Sequence, residues 1–260
     1  MDFSYLDALE NADDKPKNHS NLPYPMFEII VGKIGSGKTH LAFSQLLKPD
    51  FIDYKEFYFI SPELTKKENM FLKMGFEKQF TKEVLFATVL KYGKFKTEQF
   101  EDFWTVVDQN TPEEFKNSNI KCVFTKKATD IPLINEFDET PKLFIIDDCG
   151  GKNEYKNLIN RLVMDGRSKN CQIILIAQDF IQINPTIRRQ ASCISAFKHS
   201  GDSLDRLYNE MIKEVQPNKT DFITYAQRIW SEKHKYVYVN KIDEIITNDI
   251  FVEVKNKDKK

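Results

Sequence analysis

An excess of either charge is missing from this chain: 38 lysines and arginines stand against 39 aspartates and glutamates, a net charge of -1 over 260 residues. Such a balance sets up no global field to draw in nucleic acid or an anionic membrane, so any contact with DNA has to come from a local basic patch or from rings built by several subunits. Long apolar runs are missing too. No uncharged apolar stretch approaches the ~18 residues of a membrane span. The amino-terminal "MDFSYLDALENADDKPKNHS" is acidic and polar with no apolar h-region, and together these point to a soluble intracellular protein. Paired cysteines are absent: Cys122, Cys149, Cys171 and Cys193 lie far apart, with no C-x-x-C, in or beside apolar segments that read as core. That spacing argues against zinc and for a reducing compartment. No internal repeat is visible, and low complexity is confined to the lysine-rich "VKNKDKK" at the end.

What the chain does have is 41% hydrophobic and 13% aromatic residues, enough to bury one large core. Polar residues and the prolines of "NLPYP" make residues 1–25 a flexible arm, and residues 26–260 read as a single α/β domain. Short runs rich in β-branched residues, "FEIIV", "EFYFISP", "KLFIIDD", "QIILIAQ" and "SCISAFK", read as buried strands. Between them "KTHLAFSQLL", "TKKENMFLKMGF", "EYKNLINRLVMDGR" and "SLDRLYNEMIKEV" have helical spacing, and "NPTIRRQA" reads as a short helix with Pro185 in its first turn. The alternation implies a mostly parallel sheet covered on both faces. Residues 79–141 form a partly exposed insertion containing the helix "TEQFEDFWTVVDQ" and the strand "IKCVF", and residues 236–260 a C-terminal tail.

"VGKIGSGKTH" follows the first strand. Gly32, Lys33, Ile34, Gly35, Ser36, Gly37, Lys38 and Thr39 complete G-x-x-x-x-G-K-[ST], with His40 one step into the next helix. Glycine lets consecutive backbone N–H groups curl round a polyphosphate. Lys38 would reach the β and γ phosphates, Thr39 would ligate Mg²⁺, and the helix would turn its positive dipole end to the anion. This spacing reads as the Walker A loop of a nucleotide-binding site, with ATP and Mg²⁺ as its expected cofactors.

"KLFIIDDC" places Asp147 and Asp148 at the end of an apolar strand, which in a parallel sheet opens on the crevice holding the phosphate loop. In this Walker B position Asp147 would hold Mg²⁺ and Asp148 would orient or deprotonate the attacking water. "DDCG" also fits the D-x-x-G of GTP-binding switches, and "VYVNKIDEI" contains N-K-x-D at Asn240 to Asp243. The strands "QIILIAQ" and "SCISAFK" intervene, however, and too few residues follow Asp243 for the usual closing helix, so "NKID" reads as a chance match. "QIILIAQD" ends in Gln178, whose amide could bond both the γ-phosphate and the water if this strand lies between the other two.

In this order the motifs "VGKIGSGKT", "FYFISP", "KLFIIDDC", "RLVMDGRSKNCQIILIAQD" and "INPTIRRQASCISAF" resemble the viral genome-packaging ATPases, the poxvirus-type, large DNA virus and virophage branch of the FtsK/HerA superfamily, over roughly residues 27–213. The resemblance implies a RecA-like P-loop NTPase fold, with the sensor strand between the P-loop and Walker B strands. It implies ATP hydrolysis coupled to DNA translocation in a ring of five or six identical subunits, packaging a viral double-stranded genome into a preformed capsid. The implied partners are double-stranded DNA, other copies of the chain and proteins of the capsid vertex or portal, and the implied setting is the host cytoplasm at the assembly site, or the virion. Arg167, in "GR", matches the family's arginine after a small residue and would act as a finger on a neighbour's γ-phosphate, worth ~10³ to 10⁵ in rate where fingers are known. Capping its own helix is the alternative. Arg188 and Arg189 are runner-up fingers. Relatives often carry Glu where Asp148 stands, so the carboxylate here is one methylene shorter than the family's. Lys66 and Lys67, or Lys126 and Lys127, are positioned to touch DNA phosphates or to be solvated surface charges. Rival readings are a nucleotide kinase-type phosphotransferase, for which no arginine-rich lid is visible, a GTP-binding switch, and a nucleotide-gated scaffold.

Overall fold

Short, mostly apolar runs become strands buried along their whole length: β1 (Phe27–Val31), β4 (Lys142–Asp147), β5 (Cys171–Ala177) and β6 (Cys193–Ala196). The computed structural model describes residues 17–92, 97–116, 118–149 and 153–254. With β2 (Glu56–Ile60), β3 (Lys121–Thr125), β7 (Val237–Asn240) and β8 (Ile245–Thr247), these strands form one 8-stranded sheet in the order β3-β2-β4-β5-β1-β6-β7-β8. Pairings from β3 across to β6 are parallel, while β7 and β8 extend the sheet in antiparallel fashion. β5 lies between β1 and β4, the RecA-like arrangement expected. The register sets Val31 beside Ala177 and Asp147 beside Ile176, so the segments that leave these strands start level on one edge.

Alternation along β1 divides the core. Ile29 and Val31 face one hydrophobic layer and Ile30 the other, as a period of two requires. Over Ile30 lie α1 (Lys38–Leu47), α2 (Lys67–Glu77), α3 (Lys82–Tyr92) and α4 (Phe100–Asn110), which bury Leu46, Phe71, Leu85 and Trp104. Over the opposite face lie α5 (Asn153–Asp165), α6 (Pro185–Gln190), α7 (Gly201–Leu207) and α8 (Lys219–Trp230), which bury Leu158, Ile187, Leu207 and Phe222. Two of these helices, α3 and α8, are not among those expected from the sequence.

One boundary differs from expectation. Residues 18–25, assigned to a flexible arm, are tied down: buried Asn21 donates to the carbonyls of Ile250 and Val252, and its own carbonyl accepts from Tyr238 Oη and Asn240 Nδ2. Asn18 Nδ2 donates to Gln172 Oε1 on β5 at 2.6 Å. Satisfying these polar groups holds the segment across the lower edge of the sheet. Residues 1–16 of that arm lie outside the described residues. Within the domain, the 79–141 segment supplies β3 to the sheet and Phe80, Leu85, Phe100 and Trp104 to the core. Likewise 236–254 contributes β7, β8 and fully buried Ile250; residues 255–260, most of the lysine-rich end, lie outside the described residues.

Candidate nucleotide site

The loop after β1 is shaped by what crowds it. A Cβ at Gly32 would lie 2.6 Å from Phe197 Cβ and 2.8 Å from Ser36 Oγ, so the chain leaving β1 has room only for hydrogen there. Gly37 sits at φ 107°, in the left-handed region, and turns the chain into α1. No side chain caps α1, which leaves its first amides free for an anion. Lys38 Nζ folds back over the loop, donating to the carbonyls of Gly32 at 2.6 Å and Lys33 at 3.0 Å. Burial lowers its pKa, while Asp147 and Asp148 pull it back up.

Asp147 ends β4 almost fully buried, and burial raises its carboxyl to about 6 even though Lys66 and Lys38 oppose the rise. Asp148 follows in a left-handed conformation at φ 55°, tied by its N–H to Ile176 O on β5. Aspartate tolerates that region better than most side chains. Gln178, the residue after β5, donates its Nε2 to Asp148 Oδ1 and Oδ2 at 3.3 and 3.4 Å. The strand order thus converts three separate sequence motifs into one cluster.

Phosphates and a divalent cation fit this set on several observations. Ser36 Oγ is buried on the loop with no protein partner, α1 presents unclaimed amides, and Asp147 is a desolvated carboxylate flanked by two lysines. A cavity of about 680 Å³ opens here between α1 and α2, lined by Gly35, Lys38, Thr39, Lys66, Asn69 and His234. Lys66, considered above for DNA, therefore stands at the nucleotide crevice; it pairs with Glu63 and is drawn upward in pKa by that partner, with Asp147 and Asp148 adding to the effect. Its spacing from the phosphate loop in sequence carried no signal of this.

The arginines separate. Arg167 is exposed on the turn between α5 and β5, where it shares a small cavity with Met26, Phe27 and Gln190. β5 runs its seven residues between Arg167 and the phosphate loop, a distance of about 20 Å at the rise of a strand. It cannot reach the phosphate loop of its own chain. Arg188 is unsuitable as a finger: it is 1% exposed, its Nε and Nη2 donate to Glu210 at 2.8 and 2.7 Å, and its Nη1 donates to the carbonyls of Phe180, Ile181 and Ile183. Arg189 is exposed, with Nε on Pro185 O. Lys126 and Lys127 are exposed beyond β3, at the far edge of the sheet.

The N-K-x-D match falls in the wrong place. Asn240 pairs with Cys193, which pairs with Glu28, so it sits at the edge of the sheet opposite the phosphate loop. Its side chain closes a turn, accepting from the N–H groups of Ile242 and Asp243. The glycine of the D-x-x-G match, Gly150, lies outside the described residues.

No family model matches the chain, and no curated protein matches it in sequence. Among solved structures the chain is similar to the genome packaging NTPase B204 of Sulfolobus turreted icosahedral virus 2 in complex with ATP-gammaS, at 14% identity and a TM-score of 0.45 over 86% of this chain and 97% of that one. It is similar to B204, the DNA-packaging ATPase from Sulfolobus Turreted Icosahedral Virus, at 14% identity and a TM-score of 0.45 over 85% and 94% of the two chains. A DnaB-like replicative helicase gives 12% identity and a TM-score of 0.38 over 80% and 59%.

Proposed function

We propose that this chain is a subunit of an ATP-hydrolysing motor that drives double-stranded DNA, and that its cargo is a viral genome entering a preformed capsid. The observation that carries the ATPase reading is the contact of Gln178 with Asp148 above a strand order that sets β5 between the phosphate-loop strand and the acidic strand. The cargo rests on the motif resemblance. Lys38 exchanges its two loop carbonyls for phosphate oxygens, and Thr39 and Asp147 would hold Mg²⁺, which would supply positive charge beside the phosphates. Asp148 accepts a proton from the attacking water as that oxygen bonds the γ-phosphorus and the bridging oxygen leaves with ADP. Gln178, bonded to the same carboxylate, registers whether the γ-phosphoryl is present and passes the change along β5. Arg167 acts across a subunit boundary, because about 20 Å of strand separates it from its own loop.

The test is ATP turnover with and without long duplex DNA on wild type, Lys38→Ala, Asp148→Asn and Arg167→Ala. Stimulation by DNA and loss in all three variants is expected. A rate indifferent to DNA and raised by a nucleoside monophosphate would give the site to a kinase. In mixtures of Arg167→Ala with Lys38→Ala subunits, partial activity should return, since one subunit supplies the finger and the other the loop; mixtures that stay inactive would exclude action in trans.

A further inference from the structure

Four rings surround the phosphate loop on the side away from the acidic pair. Phe197 follows β6, and its N–H bonds Val31 O at 2.9 Å, which pins the ring against Gly32 and within 3.5 Å of where a Cβ on Gly37 would stand. Tyr236, just before β7, packs on it with centroids 5.6 Å apart, and its hydroxyl accepts from Ile250 N. His234 turns through φ 64° between α8 and β7 and brings Nδ1 to 3.2 Å from Ser36 O on the loop. His40 faces it from α1 across the same cavity. With Leu41, Ser44 and Phe251 these rings enclose a cavity of about 490 Å³.

Direction decides what enters it. The terminal phosphate belongs at Lys38, Asp147, Asp148 and Gln178, above β4 and β5. β6 lies three places from β4 in the sheet, about 14 Å away at ordinary strand spacing, which is comparable to the reach of a nucleoside triphosphate from its γ-phosphorus to its base. A triphosphate laid along the loop amides with its γ end at the carboxylates points its nucleoside end at this cavity. Ring faces and imidazole edges are suited to a flat heteroaromatic, which stacks without depending on any one hydrogen bond.

We propose that this cavity seats the base of the nucleotide, a purine packed between the His40 and His234 imidazoles and the Phe197–Tyr236 pair. The proposal rests on the phosphate-loop reading above.

The experiment measures affinity for Mg-ATP and for Mg-tripolyphosphate, which has no base, on wild type, Ser44→Phe and Tyr236→Leu, with melting curves to establish folding. Ser44→Phe fills the cavity; Tyr236→Leu removes a wall without touching the loop, and keeps the test alive if the first variant does not fold. Both should bind ATP at least about tenfold more weakly, the worth of one stacked base, while tripolyphosphate stays within about twofold of wild type. Unchanged ATP affinity in a folded variant would overturn the base pocket and leave the phosphate loop intact. Equal loss of both ligands would also overturn it, since the lesion would then lie in the loop. A wild type that binds neither ligand would overturn the phosphate-loop reading itself.

Discussion

Arg188→Ala separates a structural arginine from a catalytic one. Its guanidinium is buried, holds Glu210 through two N–H groups and three backbone carbonyls through a third, and lies 4.8 Å from the centre of the Phe180 ring. Truncation leaves a carboxylate and three carbonyls without their donor, a loss of the kind that costs about 3–5 kcal/mol for a fully buried pair. The Glu210 side chain is 25% exposed, so water recovers part of its share and a value of about 3 kcal/mol follows. For a domain of this size that lowers the melting temperature by roughly 6–12 °C. Circular dichroism melts of wild type and Arg188→Ala, with ATP turnover measured well below both transitions, give the answer. The expected variant melts early and still turns over in the cold. Adding Glu210→Leu to Arg188→Met should recover part of the stability, because an apolar pair carries no uncompensated charge. If Arg188→Ala melted within about 2 °C of wild type and hydrolysed no ATP, the buried assignment would be wrong and Arg188 would be the finger.

Three further outcomes are expected. Glu28, on β1 beneath the phosphate loop, is fully buried, with Oε1 accepting from Ser195 and Gln45 and Oε2 unpartnered, and burial raises its carboxyl to about 7. The folded state therefore holds a proton that the unfolded state releases near pH 4.5, so stability falls as pH rises from there through 7; Glu28→Gln should melt above wild type at pH 8 and level with it at pH 4, and equal melting at both would refute the burial argument. Gln178→Ala should lower kcat about 10²-fold, as removal of one aligned donor does, with ATP affinity held within about threefold; a proportional loss of affinity would make Gln178 a binding group. Gly32→Ala must shift the loop to relieve contacts of 2.6 and 2.8 Å, so calorimetry should record weakened binding of both ATP and tripolyphosphate, and wild-type affinity for either would show that the loop yields without cost.

The phosphate loop was legible because its chemistry is local. Gly32 and Gly37 act through backbone conformation, and Lys38 and Thr39 open the helix that follows, so eight consecutive positions suffice to specify the loop. The acidic pair and Gln178 were legible as strand ends, since short, mostly apolar runs mark strands buried on both faces and their last residues mark the edge. Strand order was not written in any one segment, however; it was an expectation that the pairing of β5 with both β1 and β4 turned into a hydrogen bond between residues 148 and 178. Arg188 and Arg189 looked alike as neighbours in "NPTIRR", and only the approach of Glu210 and three carbonyls buried the first and left the second in solvent. His234, Phe197 and Tyr236 carried no sequence signal for the loop that they wall. Sequence periodicity reports which face of an element is buried, whereas a pocket assembled from residues 40, 197, 234 and 236 exists only once the chain has folded back on itself across the sheet.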